Sequence, residues 1–78
     1  MNKKDLKVVI TYQTTTDAMA MEKMSKNNEI SGRLIPVPRK ISAGCGLAWC
    51  AKVEESEKIL GFIHEKNLNY DQVYEICL

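Results

Sequence analysis

Cys45 stands between Gly44 and Gly46 at the end of a stretch, residues 38–46, that reads PRKISAGCG. A thiol is a strong nucleophile when ionised, and its reactive form is the thiolate. Glycine on both sides opens backbone conformations closed to other residues, so the chain can bend there and turn its amides toward the sulfur, which favours negative charge. Arg39 and Lys40 lie just upstream, and Arg33 lies across a prospective hairpin. Cations near Cys45 would lower a thiol pKa from its ordinary value of about 8.5. The same residues admit a plainer reading, in which the glycines only turn the loop and Cys45 is a small filler.

The other reactive side chains are weaker candidates. Cys50 falls in an apolar alternation, on the face opposite Trp49, where a buried, unreactive thiol is ordinary. It is also five residues from Cys45, which makes it the better of the remaining two cysteines for a resolving thiol. Cys77 reads as strand filler. His64 sits late in a helix, as a surface histidine near the negative helix end does, and is not assigned as a base. Met19, Met21 and Met24 have a spacing that suits core packing, and Trp49 supplies a large apolar surface. The three cysteines and His64 match no zinc-finger or knuckle spacing, so neither metal nor cofactor is expected.

Composition narrows the function class. The chain has 78 residues, 45% hydrophobic and 27% charged, a globular balance that fits one domain over residues 1–78. A net charge of +1 with no long basic run gives no bulk attraction for nucleic acid. The start, Met1-Asn2-Lys3-Lys4-Asp5, does not lead into a secretory signal or a membrane span. An odd number of cysteines without a Cys-x-x-Cys pair favours a reducing, cytoplasmic setting over a disulfide scaffold.

The elements that must position Cys45 follow from pattern. Leu6–Gln13, LKVVITYQ, alternates as a strand, and Val9 on its second face suggests a central one. Thr14, Thr15 and Thr16 offer hydroxyl caps, Asp17 suits a helix first turn, and a helix follows over roughly Thr16–Lys26 until Asn27 and Asn28 end it. Gly32–Val37 reads as a second strand, held to a sheet edge by Pro36. After the loop, Leu47, Trp49, Ala51 and Val53 alternate as a third strand. Glu54, Glu55 and Glu57 lead a second helix that runs to about Lys66, and QVYEICL closes as a fourth strand. The order βαββαβ predicts a ferredoxin-like α+β fold, a four-stranded antiparallel sheet with two helices on one face. A tight hairpin between the second and third strands needs only about two to five linking residues, and the roughly nine of Pro38–Gly46 invite a functional explanation.

TTTDAMAMEK after the first strand, and then RLIPVPRKISAGCGLA, resemble the small bacterial domains of the Se/S carrier protein-like family. The specific part is Arg33–Gly46, with Pro36, Pro38, Arg39, Ser42 and the Cys45-Gly46 dipeptide. The resemblance implies a carrier that holds sulfur or selenium as a persulfide or selenopersulfide on Cys45. It would take the atom from a cysteine desulfurase or selenocysteine lyase and pass it to an acceptor enzyme whose identity is open. Arg39 would steady the anion, with Lys40 in support and Arg33 either helping or solvating the strand edge. No proline follows Cys45, unlike the Cys-Pro-x-Pro motif of better-known sulfur carriers. The residues also leave room for a non-catalytic protein-interaction module, or for a Cys45/Cys50 thiol switch, which would require the two α-carbons to come within about 7 Å.

Overall fold

The computed structural model describes residues 6–41 and 46–77. In chain order these form β1 (Leu6–Thr11), α1 (Thr15–Asn27), β2 (Arg33–Pro36), β3 (Leu47–Lys52), a 3-10 turn (Val53–Glu55), α2 (Ser56–Glu65) and β4 (Val73–Cys77). The strands make one antiparallel sheet in the order β2-β3-β1-β4. This is the α+β, ferredoxin-like arrangement that the element order predicts, with β1 central and the proline-bearing β2 at an edge. No helix among the described residues is long and apolar enough to cross a membrane.

Alternation divides the sheet into two faces. Val8 and Ile10 of β1 and Trp49 and Ala51 of β3 pack against Ala18 and Met21 of α1 and Ile59, Phe62 and Ile63 of α2, so both helices cover this side. The far face is apolar at its centre as well. Val9, Ala48 and Ile41 form a second buried cluster, with Ile35, Val37, Cys50, Tyr74 and Ile76 packed around it. Ile41 belongs to the segment after β2 and is only 8% exposed, so that segment folds back over the sheet.

The helix ends show which side chains act. Thr14 is the N-cap, its hydroxyl oxygen accepting the Asp17 backbone N–H at 3.1 Å. At the other end the Asn28 side-chain Nδ2 donates to the Met24 carbonyl at 2.8 Å. Asn28 itself has φ −118, and Glu29 takes the left-handed conformation at φ 55, in place of the asparagines expected there. The amide side chain caps the helix directly, so it has no need of the left-handed geometry. Asn67 does adopt it after α2, at φ 53. Met19 departs from the expected core role and is 57% exposed, because a helical step of about 100° per residue turns it away from the buried Ala18, Met21 and Ser25 face.

The entry to β2 is built around Gly32, at φ 118. The Trp49 indole Nε1–H donates to the Ser31 carbonyl at 3.1 Å, and this brings the Gly32 backbone against the ring. A β-carbon on Gly32 would lie 2.7 Å from the Cys50 carbonyl oxygen and 2.8 Å from Trp49 Cε2.

Candidate functional site

The loop that carries Cys45 is held at both ends. On the β2 side the Ile41 N–H donates to the Pro38 carbonyl at 2.9 Å, closing a turn with Arg39 and Lys40 at its exposed centre. Burial of Ile41 against the far face of the sheet fixes where this turn ends. On the β3 side the Val37 N–H donates to the Gly46 carbonyl at 2.9 Å, which extends the β2–β3 pairing one step past Pro36↔Leu47. Gly46 has φ 77, a conformation most side chains avoid, so its choice of residue has a backbone reason. Ser42, Gly44 and Cys45 lie outside the described residues.

The basic residues divide between two places. Arg39 and Lys40 sit in the turn beyond the closing end of the hairpin. Arg33 sits at the opposite end of β2, directly across from Cys50. Between Leu47 and Cys50 the strand advances about 10 Å. The structure thus groups Arg33 with Cys50, and leaves Arg39 and Lys40 on the side where the chain approaches Cys45.

Cys50 faces away from the helices, as its alternation with the buried Trp49 predicts, and is half-buried among the far-face apolar residues. Burial pushes its thiol pKa above the ordinary value, while the charges of Lys7 and Arg33 pull it down without prevailing. The sulfur therefore rests as the protonated thiol at neutral pH, a poor nucleophile beside an activated cysteine. Since the folded chain holds this proton more tightly than the unfolded chain, the associated stability is complete below the unfolded thiol value and drains away as pH rises through the folded one. Alkylation of Cys50, followed against pH by peptide mass, is expected to reach its midpoint above that of the same residue in urea-unfolded chain. A midpoint at or below the unfolded one would contradict the burial assignment.

Cys77 lies in β4 and pairs with Leu6 in register, and His64 is exposed on α2. Among the described residues no group of three or more His, Cys, Asp and Glu side chains is placed to hold a metal ion.

Over residues 7–75 the sequence matches the family described as "Putative Se/S carrier protein-like". The chain belongs to this family. The match runs from the second residue of β1 into β4 and takes in the whole β2–β3 hairpin with the Cys45 segment. No curated protein and no solved structure matches the chain. For a Se/S carrier-like domain, the described geometry supplies a loop anchored by Ile41 before Cys45 and by Gly46 after it. It also supplies two cationic side chains on the turn leading in. Sequence reasoning passed over one grouping, the pairing of Lys7 with Lys52 beside Cys50, which depends on strand register and has no local motif to announce it.

Proposed function

We propose that this chain is a chalcogen carrier that accepts a sulfur or selenium atom on Cys45 and delivers it to an acceptor enzyme. Family membership across residues 7–75 carries the reading, because that match runs through the Cys45 segment. The chemistry is a sulfane transfer. The Cys45 thiolate attacks the terminal sulfur of a persulfide on a cysteine desulfurase, a new S–S bond forms on Cys45, and the donor's cysteine leaves as its thiolate. A selenocysteine lyase would supply selenium in the same way. Arg39 and Lys40, exposed in the turn just upstream, favour the anionic forms of Cys45 before and after transfer. The raised pKa of Cys50 supports Cys45 over Cys50 as the accepting thiol.

The test is intact mass after incubation with a cysteine desulfurase and cysteine, and in parallel with a selenocysteine lyase and selenocysteine. The wild-type chain and Cys50→Ala and Cys77→Ala variants are expected to gain one chalcogen atom, and Cys45→Ala to gain none. Equal loading of Cys45→Ala, or no loading of the wild type by either donor, would overturn the proposal.

A further inference from the structure

Register brings three cations around one point on the far face of the sheet. Lys7 of β1 pairs directly with Lys52 of β3, and Arg33 of β2 pairs with Cys50, two residues before Lys52 on the same face. These four side chains, with Ser31 and Glu55, line an open cleft of about 450 Å³. Two like charges directly opposite on neighbouring strands repel one another. Among the described residues no ion pair joins either lysine, or Arg33, to a carboxylate. The one acidic group lining the cleft, Glu55, accepts a hydrogen bond from the Ser31 hydroxyl at 3.3 Å. Three positive charges thus meet one negative charge in a chain whose net charge is only +1, so the excess is local and not a property of the whole surface.

We infer that this cleft binds a small, doubly charged oxyanion, held by Lys7, Arg33 and Lys52. Such a ligand offsets the Lys7–Lys52 repulsion and offers several acceptor oxygens to donors that converge from three strands. Arg33 presents a planar fork suited to two oxygens at once, and the lysines act as point charges on either side. The protonated Cys50 thiol is a neutral donor at the same cleft, and the Ser31 hydroxyl becomes one only by leaving Glu55. A polyanion such as RNA does not fit as well, since the near-neutral chain has no basic track leading away from the cluster. The inference uses none of residues 42–45, and it stands or falls independently of chalcogen loading.

The experiment is an NMR titration of the full chain with inorganic phosphate and, separately, with sulfate, against sodium chloride at matched ionic strength. Saturable shifts are expected at the amides of Gly32, Arg33, Cys50 and Lys52 with either oxyanion and not with chloride. Phosphate alone binding would point to a phosphorylated metabolite, and both binding to oxyanions in general; each supports the site. Lys7→Gln and Arg33→Gln are each expected to weaken binding on the order of tenfold, the loss of one charge-assisted contact. Glu55→Gln is expected to strengthen it, by removing the competing carboxylate. As an independent readout, bound oxyanion should slow alkylation of Cys50, because a nearby anion disfavours its thiolate. Shifts that chloride reproduces, or affinities unchanged in Lys7→Gln and Arg33→Gln, would overturn the inference.

Discussion

Gly32→Ala is expected to remove a large part of the folding stability of this domain. Gly32 has φ 118, a region in which a residue with a β-carbon is strained by about 1–3 kcal/mol. The new methyl would also press on rigid neighbours, the Cys50 carbonyl at 2.7 Å and the indole at 2.8 Å, adding an overpacking cost of about 1–3 kcal/mol. Together these amount to about 2–6 kcal/mol, against a total stability of about 4–12 kcal/mol for a chain of this length. Urea unfolding followed by circular dichroism measures the loss as a lower midpoint. A change below about 1 kcal/mol would mean that the β2 entry relaxes and that the close approach of backbone and ring is not required.

Trp49→Ala is expected to cost about 3–5 kcal/mol, the range for truncating a large buried aromatic side chain. Trp49 is 2% exposed and belongs to the helix-side core, where no neighbouring chain segment can collapse into the vacated volume without moving the sheet or a helix. Its N–H bond to the Ser31 carbonyl is lost too. The two substitutions share a partner, so they should not add. With the indole gone, alanine at position 32 meets only the Cys50 carbonyl and its own backbone strain, and the double variant should lose less than the sum by about 1–3 kcal/mol. Additive losses would show that ring and glycine stabilise the domain independently.

Much of this architecture was open to reading from local pattern, and the reasons differ from element to element. In LKVVITYQ, Val9 puts an apolar residue on the second face of a strand, and the structure uses it there, under Ile41. Pro36 suits β2 to an edge because it lacks the amide proton that a further strand on that side would need, and Thr14 caps α1 through a hydroxyl close in sequence to the amide it accepts from. Register is another matter. Whether Lys7 faces Lys52 or its neighbour depends on how the chain returns from α1 and from the β2–β3 loop, which no short-range rule sets. For the same reason Arg33 appeared in sequence beside Arg39 and Lys40, while the hairpin carries it to the Cys50 end. Gly32 looked like an ordinary strand opening, since its close neighbour Trp49 is distant in sequence. Cys45 stands out in the sequence through its flanking glycines and the stretch that resembles the family, and residues 42–45 lie outside those described.

The two margins of the sheet are unequal. β2 offers an edge of four residues that ends in Pro36, whereas β4 offers five, from Val73 to Cys77, with no proline among them. Intermolecular cross-β growth needs a run of backbone groups long enough to template an incoming chain, and proline interrupts such templating. In a crowded solution, unwanted aggregation of this domain would therefore start along β4, and a charged residue introduced on that margin is where an engineer would place a gatekeeper.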